Sequence, residues 1–318
     1  MVTRPDGRSR AQMILLGALT LAAVIIALTV VVNSYFVTQN GAVSEVSPQI
    51  DGAQEFEYES RQGSRSLVLR LNHRHRNLTA TELGTVIERN VSVYSALMAE
   101  SYATSRGEDV NVTYNNGSSR FGSRVVQAAD GNVTSDTGRG AWTVGWSAEP
   151  RDLGWFMMNA NVEETSDAPT WINVTNGTRH SVNISINRTT AGTGINVGIT
   201  SNVSHAGNAS ALCDPSRDRV LLDFVDGSSY TDDCDFNGTQ AIEPPYVVEV
   251  SGGKKLVAKY ELVYNASVSS PRKCSPTAAM DQPCRTPAVW TANVTTAFEG
   301  SQLGYRNEYN VSVYRGSR

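Results

Sequence analysis

Hydrophobic and polar positions divide the chain into three stretches. From Met13 to Val32 it reads MILLGALTLAAVIIALTVVV, with no charged residue. At about 1.5 Å per residue this run spans the roughly 30 Å hydrocarbon core of a bilayer. A helix apolar on every face has no polar side to offer water, so the pattern predicts a transmembrane helix. A helical period follows. Phe56, Ser60, Leu67, Val68 and Leu71 share one face of a helix over 53–76, although Ser66 to Leu71 alone also fits a strand and Gly63 weakens a helix. Leu83, Val86, Ile87, Val91, Tyr94, Leu97, Met98 and Tyr102 form a wider stripe. Thr79-x-x-Glu82 ahead of it is a capping box, and Arg106-Gly107 behind it is a cationic last turn with a C-cap. A second helix over 79–105 is therefore expected.

From Val110 onward the period shortens to two. Thr170 to Ile186 alternates around Asn176-Gly177, the sequence of a type I′ hairpin. Tyr246 to Val268 alternates around Gly252-Gly253 and reads as another hairpin, and Ala288 to Tyr314 as two strands flanking Glu299-Gly300-Ser301. Trp142, Trp146, Trp155, Trp171 and Trp290 lie among these strands and are expected in the core. Helices first and strands afterward predict an α+β protein: a transmembrane helix, one or two further helices, then a large, sandwich-like antiparallel β domain. The expected partition is a basic leader over 1–12, the membrane helix over 13–32, a polar stalk over 33–52, a helical segment over 53–109 and a β domain over 110–318.

Charge orients this arrangement. Arg4, Arg8 and Arg10 against Asp6 precede the apolar run, so the positive-inside rule places the N-terminus in the cytoplasm and the rest outside. The run exceeds a secretory h-region and no A-x-A site follows, so a retained single-pass anchor in the lipid bilayer is expected. With 27 Lys+Arg against 31 Asp+Glu the chain has a net charge of -4, and no basic patch suits nucleic acid.

Cys213, Cys234, Cys274 and Cys284 all lie beyond the anchor. Pairing Cys213 with Cys234 and Cys274 with Cys284 closes two short loops, whereas neither spacing suits zinc. Fifteen of the 23 Asn residues begin an N-x-[ST] sequon, all beyond the anchor. Chance predicts roughly four or five, so a surface glycoprotein is the natural reading. The favoured acceptors are Asn111, Asn116, Asn132, Asn173, Asn176, Asn183, Asn202, Asn265 and Asn293, whereas Asn90 falls close to the apolar stripe. The competing explanation is that Asn-Val-Thr and Asn-Val-Ser are common words in polar β chains.

Little else carries chemistry. Asp233-x-Asp235-x-Asn237-Gly238 matches the opening of a calcium loop, but Pro244 stands where an EF-hand needs Glu. His73 and His75 share a face if extended, yet Arg70, Arg74 and Arg76 beside them favour a solvated basic patch over a metal pair. No Gly-x-Ser-x-Gly elbow, His-Glu-x-x-His helix or Walker loop is present, so no catalytic residue is assigned and a non-enzyme is expected.

Ser9-Arg10-Ala11-Gln12-Met13 resembles the class III leader of archaeal type IV pilins, which implies cleavage between Ala11 and Gln12. Leu16, not the Glu usual in bacterial-type pilins, occupies the fifth position after that cut. The leader, the single anchor, the helix around Glu88-Arg89-Asn90-Val91, Lys259-Tyr260-Glu261-Leu262-Val263, the run from Pro287 to Val294 and Tyr305-Arg306 together resemble a set of uncharacterised, pilin-like haloarchaeal secreted proteins. That resemblance implies an archaeal cell-surface location and association with other pilin-like subunits through the apolar helix. It implies no catalytic residues.

Overall fold

A computed structural model describes residues 48–314 except 146–150, 177–179, 203–208, 215–217, 232, 237–238, 240–241, 267–271, 276, 278–279 and 302. The leader with Ala11 and Gln12, the apolar run over 13–32 and most of the stalk lie outside the described residues. Among those described, no helix is long and apolar enough to cross a membrane. The protein is α+β, with two helices ahead of a large antiparallel β region, and residues 56–318 form one compact unit.

Helix α1 spans Pro48–Arg74 and so begins five residues before the expected start. Phe56, Ser60, Ser64, Val68, Leu71 and Asn72 are its buried face, at the spacing of successive turns. Gly63 lies within the helix, and Tyr94 of the next helix packs against it where a Cβ would stand, which favours glycine there. Helix α2 spans Ala80–Arg106 and carries both of its expected caps. The Glu82 N–H donates to Thr79 Oγ1 (3.3 Å) and the Thr79 N–H donates to Glu82 Oε2 (2.8 Å). Gly107 sits at φ 68°, a left-handed C-cap that glycine adopts without strain.

The strands are β1 (Asp109–Tyr114), β2 (Arg120–Asn132), β3 (Trp142–Thr143), β4 (Leu153–Asn161), β5 (Thr170–Thr175), β6 (Ser181–Arg188), β7 (Ile195–Ser201), β8 (Ala209–Cys213), β9 (Arg219–Asp223), β10 (Ser228–Ser229), β11 (Val247–Ser251), β12 (Val257–Tyr264), β13 (Cys284–Glu299) and β14 (Gly304–Ser312). They make two sheets. One has the order β1-β13-β2-β12-β4-β9-β10, with β14 also pairing β13; the other has the order β3-β11-β5-β6-β7-β8. The expected strands over 288–314 are β13 and β14. In β13, Thr291 to Glu299 pairs β14 on one side, so β1 and β2 both lie on the other, β2 along Cys284 to Thr291 and β1 along Val294 to Glu299.

A single apolar core joins the sheets, built from Phe156, Met158, Val220, Leu222, Leu262 and their neighbours on one side and Ile172, Val182, Ile184, Ile186, Val197 and Ile199 on the other. Each such side chain contributes about 1.5–3 kcal/mol on burial. The helices pack on the other face of the larger sheet, where Phe56 meets Tyr102 and Phe298 with centroids 5.5 and 6.1 Å apart. Layers of helix, sheet and sheet bury both faces of the central strands. β13 reads as nearly continuous burial instead of alternation: Phe298 meets Phe56 of α1, and Asn293 is enclosed by Asn115 and Asn310.

Three expectations change. β11 and β12 are not a hairpin, because they belong to different sheets. Gly252 (φ 71°) and Gly253 turn the chain between sheets, and Gly253 passes so close to the Val133 carbonyl that no side chain fits. β5 and β6 do form a hairpin, but Thr175 pairs Ser181 and the Asn176 N–H donates to the His180 carbonyl (3.2 Å). The connection is thus longer than a two-residue type I′ turn; Gly177 lies outside the described residues. Of the Trp residues described, only Trp290 is fully buried. Trp142 and Trp155 are half-buried and Trp171 is exposed, because Trp171 has the opposite strand parity to the core residue Ile172. Trp146 lies outside the described residues.

Candidate functional site

The C-terminus of α1 is fastened to the larger sheet by a buried polar junction. Asn72 donates from Nδ2 to the Val289 carbonyl and accepts from the Val289 N–H, both at 2.9 Å. Its amide thus completes the backbone pairing of β13 where the register with β2 shifts between Val289 and Thr291. Arg124 on β2 is buried. Its guanidinium donates to the carbonyls of Asn72 (2.8 Å) and His75 (3.1 Å), orphan acceptors of the helix end, and to Glu261 Oε2 (2.7 Å). Glu261 on β12 also pairs with His73 through Nδ1. Burial pushes the Glu261 carboxyl up, but His73 and Arg124 outweigh it and hold the carboxyl below its ordinary value.

His73 is therefore no part of a solvated patch. Its ring lies 4.8 Å from Trp155 and 5.9 Å from Tyr314 by centroids. His73 lies in the last turn of α1 and His75 just beyond the helix end, so the two do not share the face of an extended strand.

Beside this junction lies a cleft of about 200 Å³. Arg65 and Leu69 of α1, Trp155, Asp223, Asp226, Tyr230 and Tyr314 line it. Asp223 ends β9 and its Oδ1 accepts from the N–H groups of Val225 (2.9 Å) and Asp226 (3.1 Å), an Asx turn. Burial pushes its carboxyl up, and those backbone bonds offset only part of the rise. The Tyr314 hydroxyl is buried and lies beside Asn72. Two carboxylates, one guanidinium and three aromatic rings around a small space suit a compact polar ligand with an apolar face.

No family model, curated protein or solved structure matches this chain. Geometry alone thus carries the reading of the junction and cleft.

The remaining sequence candidates are dispersed. Both expected disulfides are closed, Cys213–Cys234 from β8 to the stretch after β10 and Cys274–Cys284 at the start of β13. Asp233 and Asp235 are exposed on either side of buried Cys234, on a stretch where Asp235 bridges Ser228. Asn237 and Gly238 lie outside the described residues, and among those described no three His, Cys, Asp or Glu side chains gather as a metal group.

Sequons sort by strand parity. On β1, β5, β6 and β14 the words Asn-Val-Thr, Asn-Ile-Ser and Asn-Val-Ser put the β-branched residue inward and both polar residues on the opposite face, which is the alternation of a half-buried strand, whereas on β13 Asn293, Val294 and Thr295 are all buried. Asn111, Asn132 and Asn202 are exposed. Asn111 Oδ1 accepts from Ser95 Oγ (2.9 Å), and Asn202 Oδ1 from the Ser181 N–H (2.7 Å). Asn173, Asn176, Asn183 and Asn265 are half-buried, with Asn265 Nδ2 donating to Asp152 (3.2 Å). Asn116 packs over Gly84. Asn90 Nδ2 donates within α2 to the Val86 carbonyl (2.7 Å). Asn293 is 5% exposed and held between Asn115 (2.6 Å) and Asn310 (3.1 Å), which leaves a glycan no path outward.

Arg124, Glu261 and the cleft residues escaped sequence reading. The one available signal was a charge inside an apolar run, Arg124 before Val125-Val126 and Glu261 before Leu262-Val263.

Proposed function

We propose that this protein is a membrane-anchored, extracytoplasmic glycoprotein that acts as a pilin-like structural component of the cell surface. The observation that carries the reading is the union of an uncharged 13–32 run with a domain closed by two disulfides. Disulfides persist in oxidising compartments, and the positive flank directs the domain outward. The protein works by association, not catalysis: the apolar helices pack with those of other subunits and the β region faces out. The Ala11-Gln12 leader supports processing of the pilin kind. Mass spectrometry of the N-terminal peptide of the native membrane protein tests this. A chain beginning at Gln12 supports subunit assembly; a chain retaining Arg8 and Arg10 refutes it.

The cleft favours a second reading, a single-pass surface adhesin or binding ectodomain that remains in the membrane. Asp233, Asp235 and Asn237 are its calcium candidates. A melting temperature indifferent to calcium and to chelator removes them.

A further inference from the structure

The outer face of the six-stranded sheet sets an exposed aromatic ring in line with one sequon. Ile172, Val174, Val182, Ile184, Ile186, Val197 and Ile199 face the core. Strand parity therefore turns Trp171, Asn173 and Thr175 of β5 outward, with Asn183, Ser185 and Asn187 of β6. Register places Ser185 directly opposite Trp171, and Gly198 opposite Ser185. Small residues beside the indole leave its face open, and Trp171 is 42% exposed.

Asn173 follows Trp171 by two residues, so it lies about 7 Å farther along the same face. Trp171, Asn173 and Thr175 thus stand in line, an aromatic ring followed by the two polar residues of a sequon. Of the fifteen sequons, only Asn116 also has a Trp, Tyr or Phe two residues before it, and that residue, Tyr114, is buried. Asn183 and Asn187 carry Ser181 and Ser185 at that position. A pyranose ring presents one face of C–H groups, and that face loses its contact with water when laid on an indole.

We propose that Asn173 carries an N-linked glycan whose first sugar packs on the exposed face of Trp171. The inference rests on the glycoprotein reading and adds which sequon is structural. The donor is a lipid-linked oligosaccharide on a polyprenol phosphate or diphosphate. The anomeric carbon–oxygen bond to phosphate breaks and a bond from that carbon to Asn173 Nδ2 forms. The lipid phosphate leaves with the bonding pair, and Nδ2 gives one proton to a base of the transferase. The proton that Nδ2 retains still faces Glu249 Oε2, 3.5 Å away.

The test is the full chain, produced in a host that N-glycosylates exported proteins and purified in detergent. Glycopeptide mass spectrometry reads occupancy, and thermal unfolding reads the wild type, Asn173→Gln, Trp171→Ala and the double variant. Asn173 is expected to be occupied, and Asn173→Gln to lower the melting temperature by about 2 °C. That drop should vanish in the Trp171→Ala background, with Asn173 still occupied, and return with Trp171→Phe. Other sequons occupied and Asn173 bare overturns this inference alone. A drop that persists without the indole overturns the packing. No occupied sequon anywhere overturns the glycoprotein reading itself.

Discussion

Replacing Glu261 by Gln tests the junction between α1 and the sheet. The substitution keeps the shape and one acceptor for Arg124 but removes the negative charge. Arg124 is held in place by two helix-end carbonyls and Glu261, so the variant leaves a buried guanidinium without a counter-ion. Breaking a buried pair in this way costs about 3–5 kcal/mol, and the retained hydrogen bond puts the variant near 3. For a compact unit of this size that is a fall on the order of 8 °C in melting temperature. The pH dependence has a definite sign. Folded Glu261 titrates below its ordinary value of 4.5, so the unfolded state binds more protons in that window. Its stabilisation is complete above pH 4.5 and is lost as pH falls through the folded pKa. Denaturant unfolding of wild type and Glu261→Gln from pH 7 to pH 3 should show a gap that narrows on acidification. A gap under about 1 kcal/mol at pH 7, or one unchanged at pH 3, refutes the account.

Other outcomes follow from single features. Thr79→Ala removes the N-cap bond of α2 and should cost about 1 kcal/mol in equilibrium unfolding. Asp223→Asn should raise the melting temperature at pH 7, because the folded carboxyl titrates above its ordinary 3.8 and stability therefore falls as pH rises through that window. The gain should close below pH 3.8. Removing Cys213–Cys234 or Cys274–Cys284, which close loops of 21 and 10 residues, should each cost about 3 kcal/mol. Peptide mapping of the protein from a glycosylating host should find Asn293 unmodified, since its side chain is enclosed by Asn115 and Asn310.

Local chemistry was legible in the sequence wherever the partners are near one another along the chain. Thr79 and Glu82 cap α2 because a capping box closes within one turn. Gly107 ends it because only a left-handed residue continues from there without strain. Cys213 with Cys234 and Cys274 with Cys284 pair across short loops. The 288–314 strands are visible because a chain that returns on itself keeps its alternation. Tertiary structure decided whatever joins distant segments. Asn72, Arg124 and Glu261 are separated by 52 and 137 residues along the chain, and no local pattern brings a helix end to two strands. Gly252-Gly253 has the local grammar of a hairpin, yet which sheet receives β12 depends on β2 and β4 flanking it. Trp171 and Trp290 have similar strand surroundings in sequence. One is exposed and the other buried because the helices cover the face of the larger sheet that the smaller sheet leaves free, whereas the smaller sheet packs through one face only.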